Sequence, residues 1–200
     1  MNPLVVAITG ASGSSLASLA IDRLLEMQIP VELVCSTAGR LVWAEEMDES
    51  FGSAIERWQA SPDFNYYGIG QINARIASGS FPTQGMLIIP CSMNTVASIS
   101  HGIAENLIQR CADVTIKEGR KLVIVPRESP LSAIHLENML RLAKLGVTVL
   151  TPDPAFYLHP QSVGDVVDFV VSRALLATGV TESLPIHLQY SNDNNHHQPL

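Results

Sequence analysis

Short runs of apolar, largely β-branched residues alternate along the chain with stretches whose apolar residues recur at helical spacing. The runs cover residues 4–9, 31–36, 86–90, 121–125 and 147–150. The helical patterns cover residues 14–27, 38–46, 131–145 and 163–177. Continuous apolar strands separated by helices are typical of a mostly parallel sheet that is covered on both faces. The pattern therefore predicts an α/β fold, a Rossmann-like or flavodoxin-like three-layer sandwich.

Two stretches depart from this alternation. Residues 48–85 contain Trp58, Tyr66, Tyr67 and several glycines, and we expect a minor helix and a mobile loop there. Residues 191–200 read SNDNNHHQPL, which is too polar to add to a core. We therefore predict a single domain over residues 1–180, followed by a tail over residues 181–200 that is flexible or serves as an intersubunit arm.

Composition narrows the class of function. The chain has 200 residues, 46% of them hydrophobic, which is enough for one domain with a substantial core. The formal charge of −7 argues against a nucleic-acid surface, where a basic stripe is expected. We find no charged segment ahead of the first apolar run and no run long enough to cross a bilayer, so we expect neither a signal peptide nor a membrane span.

Cysteine and histidine usage predicts a reducing compartment and no metal site. Cys35, Cys91 and Cys111 are scattered and odd in number, which suits the cytoplasm better than a disulfide framework. The first hundred residues contain no histidine, and the later ones show no i, i+4 ligand pair.

The first strand ends in a glycine-containing turn, Gly10-Ala11-Ser12-Gly13. Such a turn either lets the backbone approach a ligand, with free N–H groups of the next helix offered to an anion, or is a tight turn with a serine cap. The turn lacks the G-x-G-x-x-G pattern, and the second strand ends in Ser36 rather than an acidic residue. The ligand is therefore expected to be neither NAD nor, since no G-K-[ST] occurs, ATP.

The strand at residues 86–90 ends in Pro90 and is followed by the small polar side chains of Cys91, Ser92, Asn94 and Thr95. One such residue is enough to cap the helix that follows. Four within five positions exceed that need, and we favour phosphate or flavin binding over capping alone.

Polar residues follow five of the predicted strands: Ser12, Ser36, Ser92 to Thr95, Arg127-Glu128 and Tyr157. Parallel strands end at one edge of the sheet, which is where open α/β sheets bind ligands. Hydroxyls with an arginine suit a phosphorylated ligand. Two alternatives stay open, because Arg127-Glu128 can form a solvated ion pair and Tyr157 can be a core aromatic.

Three further basic residues can be explained by their local surroundings in the sequence. Arg110 and Lys117 lie seven residues apart and so share a helix face, either as solvated residues or as an anion site at a subunit interface. Arg173 lies among apolar residues, where it extends its head to solvent or pairs with an acid.

Eight stretches together resemble the UbiX-type flavin prenyltransferases. The shorter ones are ITGASG, LVCS, AEEMD, SGSF, PCSMNT and RCADVTIKE, and the longer ones are VPRESPLSAIHLENMLRLAKLG and PAFYLHPQSVGDVVDFVVSR. The resemblance spans roughly residues 4–179. It departs from the family pattern at Leu16, where many members carry an aromatic residue, and at Gly119, where arginine is usual.

The resemblance implies an activity that needs no metal. A dimethylallyl group passes from dimethylallyl phosphate to N5 and C6 of reduced FMN, giving prenylated FMN for a separate UbiD-type decarboxylase. The family is also associated with ubiquinone biosynthesis, with the cytoplasm, and with homo-oligomers that are usually dodecamers.

Matching the motifs residue by residue assigns roles to this chain. FMN contacts fall on Gly10, Ala11, Ser12, Ser36, Ser92, Met93, Asn94, Thr95 and Arg127. Dimethylallyl phosphate contacts fall on Tyr157 and Arg173, and on Arg110 and Lys117 of a neighbouring subunit. Ser12, Glu46 and Glu128 are the implied catalytic residues, and Phe81 is a candidate wall around the allyl group.

Two other functions remain open from the sequence. An FMN-dependent cysteine decarboxylase of related fold would need an early histidine base, and the first histidine here is His101. A non-enzymatic FMN carrier would need the flavin contacts alone. It would not need Glu128, Tyr157 and Arg173 together with Arg110 and Lys117.

Overall fold

The structure is a computed structural model, and it describes residues 1–190. The strands are β1 Leu4–Ile8, β2 Val31–Cys35, β3 Phe64–Gly68, β4 Gly85–Cys91, β5 Lys121–Pro126 and β6 Thr148–Val149. The helices are α1 Ser14–Glu26, α2 Thr37–Glu46, α3 Phe51–Gln59, α4 Met93–Ser100, α5 Leu107–Lys117, α6 Ala133–Lys144 and α7 Val163–Thr178. Single 3₁₀ turns lie at Arg75–Ala77, Phe156–Leu158 and Ile186–Leu188.

All six strands pair in parallel, in the order β3-β2-β1-β4-β5-β6. This order confirms the predicted α/β class and is that of a Rossmann sheet. The chain leaves β1 towards one edge of the sheet and returns at β4 to build the other. The point between β1 and β4 is therefore the topological switch point, where such sheets open a crevice beyond the carboxyl ends of their strands.

Both faces of the sheet are covered, as the uninterrupted apolar strands predict. Leu4, Val6 and Ile8 of β1 pack on one side, in a core formed with α1, α3 and α7. Val5 and Ala7 pack on the other side, in a core formed with α4, α5 and α6. The three-layer arrangement is thereby confirmed.

Residues 48–85 are more regular than the sequence analysis expects. They contain the predicted helix, α3, and also an edge strand, β3, which the prediction missed. Aromatic rings in edge-to-face contact pack α2 and α3 together. The ring centroid of Trp43 lies 5.4 Å from that of Phe51 and 5.9 Å from that of Trp58. Local periodicity does not reveal β3, because four of its five residues are at least partly exposed.

The segment after α7 contacts the domain. Leu188 is buried, and His187 Nε2 lies 3.1 Å from the Asp168 carboxylate of α7. The predicted boundary at residue 180 and the intersubunit role of the tail stay predictions, and residues 191–200 lie outside the described part of the chain. Within residues 1–190, no helix combines the length and the apolar character needed to cross a membrane.

Candidate active site

A pair of loops meets at the switch point, and Thr9 connects them. The Thr9 hydroxyl donates to the Pro90 carbonyl at 3.0 Å and accepts the Ser92 N–H at 2.7 Å. The backbone N–H of Thr9 also donates to Pro90. The turn after β4 is therefore fixed to the end of β1. Sequence reasoning missed Thr9, although it is the first polar residue after the apolar run of β1.

The helix N-terminus after the first turn is already bound by a carboxylate of the same chain. Glu46 Oε2 accepts the N–H groups of Gly13 at 2.9 Å and Ser14 at 2.8 Å. The expectation that these N–H groups are free for an anion is therefore wrong. Glu46 ends α2, and this end of α2 reaches the start of α1, so an acidic side chain takes the place that a ligand anion would occupy.

These contacts keep Glu46 ionised. Partial burial would raise the pKa of Glu46, but hydrogen bonds from the Ser12 hydroxyl and from Ser14 and Gly13 outweigh it and lower the pKa. A carboxylate accepts hydrogen bonds and donates none. Ser12 lines the same two cavities as Glu46, so its hydroxyl can donate to this carboxylate while its oxygen accepts from another donor.

Helix capping accounts for part of the polar row after β4. Ser92 Oγ accepts the Thr95 N–H at 3.3 Å and lies 3.0 Å from the Thr95 hydroxyl, and Thr95 is buried. Ser36 likewise caps α2 by accepting the Gly39 N–H at 2.9 Å. Asn94 differs, because its side chain is exposed and makes no hydrogen bond within residues 1–190.

Two adjoining cavities open beside these loops. A polar cavity of about 380 Å³ is lined by Gly10, Ala11, Ser12, Val42, Glu45, Glu46, Ser92, Met93, Arg127 and Glu128. An apolar cavity of about 350 Å³ is lined by Leu16, Met47, Pro152 and Val163, Val166, Val167 and Val170, with Gly13 and Ser15. Ser12, Glu46 and Arg127 line both. We call Ser12, Glu46, Ser92, Arg127 and Glu128 the rim site.

Arg127 and Glu128 are both exposed and stand side by side without pairing. The Arg127 N–H donates to the Cys91 carbonyl at 3.3 Å, which fixes the backbone beside β4. Glu128 Oε1 accepts the Ser129 N–H at 3.1 Å. Neither side chain forms a salt bridge within the described part of the chain. The alternative of a loop ion pair is therefore wrong, and both groups face the polar cavity.

Tyr157 and Arg173 lie apart from the rim site in the single chain. Tyr157 is 51% exposed and contacts Tyr190 edge to face, with ring centroids 5.9 Å apart, so it is not a core aromatic. Arg173 is exposed on α7 and pairs with no acid among residues 1–190. Neither residue lines the two cavities at the rim site.

Arg110 and Lys117 do share a face of α5, as their spacing predicts, and both already have partners. Arg110 donates to the Ala77 carbonyl at 3.1 Å and pairs with Asp113 at 2.8 Å. Lys117 pairs with Glu118, next to Gly79. We call residues 75–81 the outer turn. Arg110 and Lys117 contact the outer turn, and neither lines the rim-site cavities.

The donors at the polar cavity suit a phosphorylated ligand with hydrogen-bonding edges. Ser12 and Ser92 supply hydroxyls, and Arg127 supplies a guanidinium without a partner among the described residues. Gly10 belongs to the same loop for a packing reason, since a Cβ there would lie 2.5 Å from the Ala38 side chain. For a metal ion the same region offers little: residues 1–190 contain no group of three His, Cys, Asp or Glu side chains placed to hold one.

Comparison with known proteins gives a consistent result. A family model described as "Flavoprotein" matches residues 1–175. The protein named flavin prenyltransferase UbiX from Synechocystis sp. is 44% identical over 86% of this chain and 89% of its own length.

Two solved structures have a similar fold. A dodecameric FMN-dependent UbiX-like decarboxylase from Escherichia coli O157:H7 is 46% identical, with a TM-score of 0.83 over 88% of this chain and 94% of its own. AnUbiX (PadA1) in complex with FMN and dimethylallyl pyrophosphate is 36% identical, with a TM-score of 0.86 over 96% of this chain and 97% of its own.

Proposed function

This chain belongs to the UbiX-type flavin prenyltransferase family, and we propose that it transfers a dimethylallyl group from dimethylallyl phosphate to N5 and C6 of reduced FMN. The chain is thus an enzyme of the transferase class. The observation that carries the finer proposal is the pair of cavities, one polar and one apolar, that share Ser12, Glu46 and Arg127. A phosphorylated flavin and a small apolar group can meet at that junction.

The flavin is proposed to lie in the polar cavity. The Arg127 side chain has no partner among the described residues and would bind the flavin phosphate or ring oxygens, with Ser92 and the backbone at Gly10 to Ser12 in the same cavity. Asn94, exposed two residues after Ser92, would add a side-chain amide. Ser36, Met93 and Thr95 support these contacts from the adjoining helix starts. AnUbiX, which is solved with FMN, has the same fold over 97% of its length.

Proton handling is assigned to Ser12, Glu46 and Glu128. Ser12 and Glu46 line the same cavities, so Ser12 would accept a hydrogen bond from an N–H of the ring and pass its own proton to the Glu46 carboxylate. Glu128 is exposed at the polar cavity and forms no salt bridge within residues 1–190, so it would exchange a proton with the leaving phosphate or the ring. The side chains of the apolar cavity exclude water from the developing allylic charge.

The leaving phosphate is proposed to be bound by Tyr157 and Arg173, together with Arg110 and Lys117 of a neighbouring subunit. Cationic donors stabilise a departing phosphate without a metal. Arg110 and Lys117 lie beside the outer turn, away from the rim site of their own chain, so this role requires a homo-oligomer. The similar protein from E. coli is dodecameric, which supports that assembly here.

The product, prenylated FMN, is proposed to serve a UbiD-type decarboxylase, with ubiquinone biosynthesis as one pathway. The three free thiols are all buried, and we place the protein in the reducing cytoplasm. AnUbiX contains dimethylallyl pyrophosphate, so the diphosphate is the second donor to test.

The test is mass analysis of the bound flavin after anaerobic incubation with FMN, a reductant and dimethylallyl phosphate. We expect a flavin heavier by one dimethylallyl unit from the wild type and from Glu56→Gln, a control that is exposed on α3 and lines neither cavity. Ser12→Ala and Glu128→Gln should form it at least about 100-fold more slowly.

Unmodified FMN with both donors, under verified reducing conditions, would refute prenyl transfer. If FMN then stays bound without turnover, the result would favour a non-enzymatic FMN carrier. Release of carbon dioxide from a cysteine-terminated peptide would instead indicate the cysteine decarboxylase.

A further inference from the structure

Glu32 is a carboxylate in the middle of the sheet that the proposed function does not use. It is the second residue of β2, between Val31 and Leu33, and it is 1% exposed. Its oxygens accept the Tyr67 hydroxyl at 2.5 Å, the Asn65 amide at 3.2 Å and the Arg75 guanidinium at 2.6 Å. We call Glu32, Asn65, Tyr67 and Arg75 the Glu32 cluster.

Stability alone is a weak reason for this cluster. A buried ion pair costs about as much in desolvation as it returns, and apolar side chains of similar volume often serve a fold equally well. The partner of Glu32 is moreover only half-buried, since 51% of the Arg75 side chain is exposed. Burial and Glu32 raise the pKa of Tyr67 to about 12, so its phenol keeps its proton and stays a donor.

Arg75 connects the cluster to the outer turn. Its guanidinium carbon lies 4.8 Å above the centre of the Phe81 ring, a cation–π contact. Its carbonyl accepts the Ser78 N–H at 3.1 Å, and the Ser78 carbonyl accepts the Phe81 N–H at 3.2 Å. The buried carboxylate thus fixes one arginine, and that arginine fixes both the backbone and the aromatic ring of the outer turn.

The opposite side of the outer turn is held against α5. Arg120 donates to the carbonyls of Gly79 at 2.6 Å and Phe81 at 3.0 Å, and Arg110 donates to the carbonyl of Ala77. Gly79 lies against the end of Lys117: a Cβ there would lie 2.8 Å from Lys117 Nζ and would displace this side chain. The position of the outer turn therefore determines where Arg110 and Lys117 can place their charges.

We propose that Glu32 and Arg75 are positioning residues for the prenyl donor: they hold the outer turn and Phe81 against Arg110 and Lys117, and so set donor affinity while leaving flavin affinity unchanged. The inference rests on the proposed function for the identity of the donor. Beyond that function, the inference identifies Glu32 and Arg75 as the residues that connect the sheet to the proposed phosphate-binding face of α5.

The chain contains a matched control for Arg75. Arg57 also pairs with carboxylates, Asp22 at 2.6 Å and Glu49 at 3.0 Å, and also lies over an aromatic ring, Trp58, at 5.3 Å. Arg57 belongs to α3 and contacts nothing in the outer turn. Arg57→Met therefore removes an ion pair and a cation–π contact of the same kinds at a site that the proposal does not involve.

The experiment compares the wild type with Arg75→Met, Arg75→Lys, Glu32→Gln and Arg57→Met as assembled proteins loaded with oxidised FMN. Calorimetry measures binding of dimethylallyl phosphate to the loaded proteins, and deuterium exchange follows residues 76–83. Fluorescence titration after removal of the flavin measures binding of FMN, and turnover with reduced FMN gives KM and kcat. We expect Arg75→Met and Glu32→Gln to weaken donor binding and raise the donor KM about tenfold with kcat and FMN binding within about twofold. Arg75→Lys should recover most of the loss.

Two results of the binding measurements would overturn the proposal. One is donor binding by Arg75→Met equal to that of Arg57→Met, and the other is a matching loss of FMN binding, which would indicate general damage. Prenyl transfer by the wild type is scored separately. If the wild type transfers nothing, faster exchange at residues 76–83 in Arg75→Met alone still supports positioning of the outer turn and refutes only the donor. Unchanged exchange refutes the positioning itself.

Discussion

The rim site and the outer turn carry similar chemical groups but leave them in opposite states. At the rim site, Arg127 and Glu128 are exposed and form no salt bridge within residues 1–190. At the outer turn, Arg110 is paired with Asp113, and Arg120 donates to two carbonyls. Arg127 and Glu128 of the first region have no charged partner among the described residues, whereas Arg110 and Arg120 of the second are already bound within the chain.

This difference indicates how each region binds. A ligand that binds Arg127 displaces no salt-bridge partner among the described residues, so its affinity depends directly on that side chain. The donor phosphate proposed to bind at α5 would compete with Asp113 and Glu118 for Arg110 and Lys117, so its affinity would depend on how the outer turn holds those cations. Substitutions should therefore act directly on ligand affinity at the rim site and through geometry at the outer turn.

Removing one arginine from each region should have the largest effect and should separate flavin binding from donor binding. Arg127→Met should weaken FMN binding about 30-fold, since a charge-assisted hydrogen bond to a ligand anion contributes about 2 kcal/mol. Arg110→Met should leave FMN binding within about twofold and raise the KM for dimethylallyl phosphate instead. Fluorescence titration with FMN and steady-state kinetics measure the two effects.

Arg141→Met is the control for both variants, because Arg141 is exposed on α6 and forms no salt bridge among the described residues. A loss of FMN affinity in Arg110→Met as large as that in Arg127→Met would mean that the two regions do not divide the substrates between them.

Much of the fold follows from local pattern, because buried parallel strands must be apolar along their whole length. β1, β2, β4 and β5 begin and end within one residue of the predicted bounds. β3 was missed because it is an edge strand whose residues after Phe64 are at least partly exposed. An edge strand that faces solvent has less need of an apolar pattern.

The rim site also contains residues that the sequence could group and contacts that it could not reveal. Ser12, Ser92, Arg127 and Glu128 could be grouped from sequence, since each follows a strand of one parallel sheet. The contacts of Glu46 with the first turn could not, because they join residues more than thirty positions apart. Glu32 was hidden for a further reason: a single acid inside an apolar strand gives no sign of the partners that it binds on β3 and in the outer turn.

The pH dependence of protein stability tests how much the charge of Glu46 stabilises the rim site, and the expected effect is smaller. Glu46 has a lowered pKa in the folded protein, so it contributes stability above the pKa of an unfolded glutamate, about 4.3, and this contribution is lost as pH falls through the folded value. Because Glu46 is largely exposed, we expect less than about 1 kcal/mol.

Urea unfolding of the wild type and Glu46→Gln at several pH values measures this contribution. The free-energy difference between the two proteins should be largest near neutral pH and should shrink in acid. Glu45→Gln removes a charge from the next residue without touching Gly13 or Ser14, and it should show no such pH dependence. A difference that grows as pH falls would show that Glu46 is protonated where it contacts the first turn.

A buried thiol lies next to each region, and its rate of alkylation should change less than any quantity above. Cys91 precedes Ser92 at the rim site, and Cys111 Sγ donates to the Ile76 carbonyl of the outer turn at 3.4 Å. Burial raises the pKa of both thiols, that of Cys111 to about 12, so alkylation of the folded protein reports local opening. Arg75→Met should speed iodoacetamide labelling of Cys111 about threefold and leave Cys91 unchanged. Peptide mass analysis measures the labelling of each thiol. Equal acceleration at both would mean that the two regions open as one unit and that the Glu32 cluster stabilises the whole sheet.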